Sequence, residues 1–165
     1  MTISRSLAVL AIAATATLTI TTAAAQAATP AADSAAGSAA KAWGPYYAPG
    51  HAARAAGTLT ATGEDHADIP AASVLKVSGK VYDQTRKSAT CGWAVFRITY
   101  RDAKNNLPFK HHSVRDCTYR TAKRFSFEHH DVYQVELKVC AGGKTAKPSL
   151  TCLYAGTWKT LYLSK

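Results

Sequence analysis

Trp93-Ala94-Val95-Phe96-Arg97-Ile98-Thr99-Tyr100-Arg101 is the stretch on which the reading of the fold turns. Ala94, Phe96, Ile98 and Tyr100 alternate with Trp93, Val95, Arg97, Thr99 and Arg101, a period of two that sends one set inward and the other outward from a strand. The same period recurs downstream, where Tyr133, Val135, Leu137 and Val139 alternate with Val132, Gln134, Glu136 and Lys138. Upstream, Leu75, Val77 and Val81 share one strand face. Turn-forming clusters separate these runs at Gly63-Glu64-Asp65, Asp83-Gln84-Thr85, Lys104-Asn105-Asn106 and Gly142-Gly143-Lys144. Strands at this spacing, about seven of them, predict an all-β fold, an antiparallel β-sandwich with an immunoglobulin-like arrangement as one form of it. Trp93 follows Cys91 by only two residues, which departs from the immunoglobulin spacing and leaves the expectation resting on the sandwich. No stretch carries a helical stripe.

The ends bound the domain. Met1 to Arg5 carries one positive charge, an apolar run follows from Leu7 to Ile20, and Ala25-Gln26-Ala27 supplies small residues at a cleavage site. That order predicts a secretory signal peptide over 1–27, too short to span a bilayer, and hence an extracellular protein with no membrane insertion after cleavage. Residues 28–42 are Ala-, Ser- and Gly-rich and have no large apolar side chain to bury, so they read as a disordered tether. Composition shifts at Trp43, and the domain is expected over 43–165.

Four cysteines in an exported chain predict two disulfides. Cys91 and Cys117 are equidistant from Lys104, and Cys140 and Cys152 from Ala146. Residues equidistant from a hairpin turn face each other across the strands, which favours 91–117 with 140–152, each stapling one hairpin. Four cysteines allow three connectivities, and the other two stay open at this point.

The chain has 20 Lys+Arg against 10 Asp+Glu, a net charge of +10. Removal of the leader takes away Arg5 alone, leaving 19 against 10, or +9. Such an excess attracts anionic polymers. Trp93, Arg97, Arg101, Arg115 and Lys138 fall on outward parities of neighbouring strands, an aromatic beside cations, and form the expected binding face. Outside the cell its partner is a cell-wall polymer or an acidic glycan, with nucleic acid not expected. A second candidate is the 141–151 loop, bracketed by Cys140 and Cys152 and carrying Lys144 and Lys147, which suits a secreted inhibitor of an extracellular protease.

Other constellations predict little. His111-His112 and His129-His130 are adjacent pairs, and neighbours on a strand point to opposite faces, so neither pair converges on a metal. His129-His130 is expected at a hairpin tip. Gly63-Glu64-Asp65-His66-Ala67-Asp68 lacks calcium-loop spacing. There is no nucleophile elbow and no unpaired cysteine. No catalytic residue, cofactor or metal is expected.

The segments Cys91-Gly92-Trp93-Ala94-Val95-Phe96-Arg97-Ile98-Thr99-Tyr100 and Leu153-Tyr154-Ala155-Gly156-Thr157-Trp158-Lys159 resemble small secreted actinobacterial proteins. The resemblance covers the chain from about Trp43 onward and implies export. The chain is also similar, more loosely, to apoproteins that carry enediyne chromophores. Those are secreted two-disulfide sandwiches with Cys-Ala-Trp where this chain has Cys91-Gly92-Trp93, and the likeness implies a small-molecule carrier. The expected function is that of a secreted, non-catalytic binding protein, with protease inhibition and small-molecule carriage as alternatives.

Overall fold

The computed structural model describes residues 39–165. The expected signal peptide and residues 28–38 of the expected tether lie outside them. In chain order the elements are β1 (Lys41–Tyr47), a 3-10 turn (Pro49–His51), β2 (Ala53–Glu64), β3 (Ala72–Asp83), β4 (Thr90–Tyr100), β5 (Phe109–Asp116), β6 (Ala122–Gly143), α1 (Leu150–Tyr154) and β7 (Lys159–Leu163). β1 starts two residues ahead of the compositional boundary. Lys41 and Ala42 expose their side chains and join the strand through their backbones, opposite Leu59 and Thr58, so composition gives no sign of them.

All strands pair antiparallel in the order β1-β2-β3-β6-β4-β5, with β7 on β6. The 22-residue β6 organises the fold. Its first half pairs with β3, from Ala122 opposite Tyr82 to Val132 opposite Ala72. Its second half pairs with β4, from Val132 opposite Tyr100 to Gly143 opposite Thr90. Where the strand changes partner, Asp131 takes a left-handed conformation (φ 53°), which aspartate tolerates better than most residues. A strand that bends there carries the sheet over onto itself, and the two halves enclose one core. His129-His130 therefore lies inside a continuous strand, not at a hairpin tip. The bend uses a single residue and needs no reversal of the chain.

The inward faces carry the expected alternation. Leu75, Val77 and Val81 on β3 meet Phe96 and Ile98 on β4 and Val135 on β6, all fully buried. Trp43 closes this core. Its ring lies so close to the facing Gly57 and Gly79 that a Cβ on either would come within 2.6 or 2.9 Å of it, so both positions require glycine.

β4 departs from alternation, because Trp93 and Val95 on its other face are buried as well. A second, smaller core sits there, formed by Cys91, Trp93, Val95, Cys140 and Cys152, with Leu153 and Trp158 packed on it. The 150–158 segment covers that face. Sequence periodicity misses α1 because five residues are too few to show a stripe. Its signal is local: the Ser149 hydroxyl accepts from the Cys152 N–H as an N-cap.

Both disulfides join the favoured partners, Cys91–Cys117 and Cys140–Cys152. The first continues the β4–β5 register one step past Gly92 opposite Asp116, as a cross-strand bridge should. The second is not a hairpin staple. It ties strand β6 to helix α1, so here equal distance from a turn picked the right partner by the wrong geometry.

His129, half-buried on the inner side of β6, is pushed down to about 4 by burial and by the charges of Lys110, His112 and His130. Burial lowers His112 too. Folded protein keeps these rings neutral where the unfolded chain, near the usual 6.5, takes up protons. Stability is therefore fully present above pH 6.5 and is lost as pH falls towards 4. We expect a loss of about 1–2 kcal/mol across that window, discounted for partial solvation. Urea denaturation at pH 7 and pH 4.5 checks it, and His129→Phe should flatten the dependence.

Candidate anion-binding face

The five residues expected to form the binding face share no open surface. Trp93 is 2% exposed and lies beneath Leu153 and Trp158, so it offers no stacking platform; the second core needs its bulk. Arg97 is bonded to Glu136, with Nε 2.7 Å and the terminal nitrogen 2.6 Å from the same oxygen, and its guanidinium lies 4.8 Å from the centre of the Trp158 ring. Arg115 donates to the Thr145 carbonyl and lies over Trp93.

Lys138 is buried. Its Nζ donates to the carbonyls of Leu153 (3.2 Å) and Ala155 (2.7 Å), and so binds the last turn of α1, where cations are favoured. Burial, with Arg97 nearby, lowers its proton affinity. Arg101 sits beyond the end of β4, where it pairs with Asp65 and donates to the Ile69 carbonyl at 2.5 Å. The Arg101 guanidinium in turn holds the Asp65 carboxyl below its usual range. Strand parity placed four of these side chains on one face correctly. It did not show that the 144–158 segment folds back over that face and uses its cations as straps.

Lys144 and Lys147 are exposed, as the loop reading expects. The loop is held at several points: by Arg115 on Thr145, by the Lys144 N–H to the Ala89 carbonyl (3.1 Å), by the Thr145 hydroxyl to the Lys147 carbonyl (2.6 Å) and by Cys140–Cys152. Gly142 and Gly143 belong to β6 and do not loosen it.

The open cationic surface lies on the other half of the sheet. On β2, β3 and the first half of β6, even-numbered residues point away from the core. Cross-strand register sets them in rows: Arg54 beside Tyr82, Ala56 beside Lys80 beside Arg124, Thr58 beside Ser78 beside Ser126, and Thr60 beside Lys76 beside Glu128. The middle of this face is a shallow depression of about 610 Å³. Its floor is low because Ala56, Thr58 and Ser78 have short side chains, while Arg54, Lys80, Arg124 and Tyr82 stand around it.

The electrostatics of the face are unbalanced. Lys80 stands directly opposite Arg124, an arrangement that destabilises a sheet. Among the described residues the ion pairs are Arg97–Glu136 and Arg101–Asp65, with His130 Nε2 3.8 Å from Glu128 and pairing with it only when protonated, so Arg54, Lys76, Lys80 and Arg124 have no carboxylate partner there. Arg54 lies 4.3 Å over the Tyr82 ring, and its buried Nε has no hydrogen-bond partner. Lys80 and Arg124, two facing cations with no carboxylate partner, are suited to hold an oxyanion between them. Sequence reasoning missed these residues because the basic positions of β2, β3 and β6 are far apart in the chain. The sole signal was the strand parity of Lys76, Lys80 and Tyr82.

Comparison with protein families, with curated proteins and with solved structures finds no match to this chain. No described helix is long and apolar enough to cross a membrane.

Proposed function

We propose that this is a secreted, non-catalytic protein that binds an anionic extracellular polymer, a cell-wall polymer or an acidic glycan, through the outer face of β2, β3 and β6. The observation that carries the reading is the facing pair Lys80 and Arg124 beside Arg54, none with a carboxylate partner, on a shallow, hydroxyl-rich surface where Glu128 stands opposite Lys76. A flat cationic sheet suits a repeating anion better than a small substrate. Two disulfides and the net charge fit a protein that works outside the cell.

The test is cosedimentation of the protein, cleaved at Ala27, with isolated cell walls across a salt series. Binding should be present at low salt and weaken as salt rises. The triple variant Arg54→Ala/Lys80→Ala/Arg124→Ala should bind on the order of 10- to 100-fold more weakly, since each exposed charge contributes up to about 1 kcal/mol. Lys144→Ala/Lys147→Ala should bind nearly as wild type. Equal binding by the triple variant would sink the assignment of the face, and no binding at low salt would sink the function.

A second reading is favoured by the strapping of the 141–151 loop, which lowers the ordering cost of presenting Lys144 to a protease. Trypsin-like and subtilisin-like enzymes left uninhibited at micromolar protein would end it.

A further inference from the structure

The histidines occur as two adjacent pairs, and the pleat separates each pair. His111 points outward and stacks on Trp158, with ring centres 5.8 Å apart. His130 points outward, where its Nδ1 lies 3.2 Å from the Ser73 carbonyl and its Nε2 faces Glu128. The other two point inward from different strands, His112 opposite Phe96 and His129 opposite Leu75. The fold then brings these two together. β5 hydrogen-bonds to β4, and the first half of β6 hydrogen-bonds to β3, so the facing edges of β5 and β6 are not joined to each other. In the opening between them the ring centres of His112 and His129 lie 6.4 Å apart, with Phe127 beside both at 4.0 and 5.7 Å. We propose that His112 and His129 form a two-imidazole copper site in this cleft, independent of the basic face.

The distance suits one shared ion. With metal–nitrogen bonds of about 2.0–2.1 Å, a ligated imidazole has its centre about 3.2 Å from the metal. Two such rings then lie about 5.2 Å apart at a tetrahedral angle and about 6.4 Å apart when collinear. The observed spacing of 6.4 Å lies at the collinear limit, so one ion is bridged when a nitrogen of each ring turns toward the other, and a bent geometry draws the ring centres about 1 Å closer. Both rings are half-buried on a phenylalanine floor, and among the described residues neither ring has a hydrogen-bond partner, so their nitrogens are free to ligate. The donor set decides the metal. Nitrogen donors without oxygen exclude calcium and magnesium. A closed zinc site takes four protein ligands, and among the described residues no group of three or more His, Cys, Asp or Glu is gathered. Two neutral imidazoles with open positions for water rank copper above nickel and zinc. Lys110, on the same face of β5 and close enough to act on His129, opposes any cation.

The experiment is calorimetric titration of the protein with copper(II), nickel(II) and zinc(II) chlorides in a non-coordinating buffer, with electron paramagnetic resonance of the copper form. One copper per chain should bind with nitrogen hyperfine structure, at least 10-fold more tightly than zinc or nickel. His112→Phe and His129→Phe, which keep an aromatic ring in the cleft, should each weaken copper by 10-fold or more while remaining folded by circular dichroism. Lys110→Ala should tighten it about 3- to 10-fold. His111→Ala and His130→Ala should bind as wild type. The proposal is overturned if either folded phenylalanine variant keeps wild-type affinity, if His111→Ala or His130→Ala abolishes binding, or if copper shows no nitrogen coordination.

Discussion

Phe96→Ala should lose about 4 kcal/mol of folding stability, the largest loss expected from truncating a single side chain of this core. Phe96 is fully buried, and its ring meets four others: Trp43 at 6.0 Å, Phe125 at 5.5 Å, Phe127 at 5.0 Å and His112 at 6.4 Å. Those rings come from β1, β6 and β5, so the phenyl group sits where the two halves of the folded sheet meet. Truncation leaves a cavity that none of the four can collapse into without breaking strand register, which places the cost high in the usual range of about 3–5 kcal/mol for such a deletion. For a domain of this size the thermal midpoint should drop by roughly 10–20 °C. Phe109, 57% exposed at the edge of β5, provides the contrast, and Phe109→Ala should stay within about 0.5 kcal/mol of wild type. Urea denaturation of both variants is the measurement. Similar midpoints for the two would mean that the core is not built around Phe96.

Cys91→Ser/Cys117→Ser should cost nearly as much. Closing a loop over a separation of 26 residues removes chain entropy worth about 3.5 kcal/mol in the unfolded state. The separation of 12 between Cys140 and Cys152 gives about 3 kcal/mol. The two losses should look different. Cys91 is fully buried under the second core at the β4–β5 junction, so its bridge should report as a uniform loss of global stability. The Cys140–Cys152 bridge holds α1 over Trp93, with Lys138 as the remaining strap. Cys140→Ser/Cys152→Ser should therefore expose Trp93 and Trp158 before the main sheet unfolds. Tryptophan emission would shift to the red at lower urea than the loss of far-ultraviolet β signal. Coincident transitions in that variant would show that α1 is not an independently opening unit.

Much of the fold was legible in the chain. The alternation over Trp93–Arg101 and Val132–Val139 names the inward residues Phe96, Ile98, Val135 and Leu137, because burial on one face of a pleated strand leaves a period of two. The turn clusters fall where strands end, as at Glu64, Asp83 and Tyr100. The candidate site was far less legible. Arg97, Arg115 and Lys138 look like a solvent face when parity is read strand by strand. Their covering segment, 144–158, comes later in the chain and packs through Trp158 and Leu153, whose partners no local pattern reveals. Conversely, Arg54, Lys80 and Arg124 belong to three strands, and only their register turns them into one surface.

Sequence alone determined that the chain makes antiparallel strands and which of their residues face the main core, and hairpin symmetry favoured Cys91–Cys117 among the pairings that four cysteines allow. These follow from local geometry, since pleat period and distance from a turn act over a few residues. Tertiary structure alone decided that β6 continues through Asp131 and is shared by both halves of the sheet, that α1 covers one outer face and leaves the other open, and that His112 meets His129. Each of those depends on which strand edge pairs with which across tens of residues. That choice is made by the closure of the whole core around Trp43 and Phe96, not by any segment on its own.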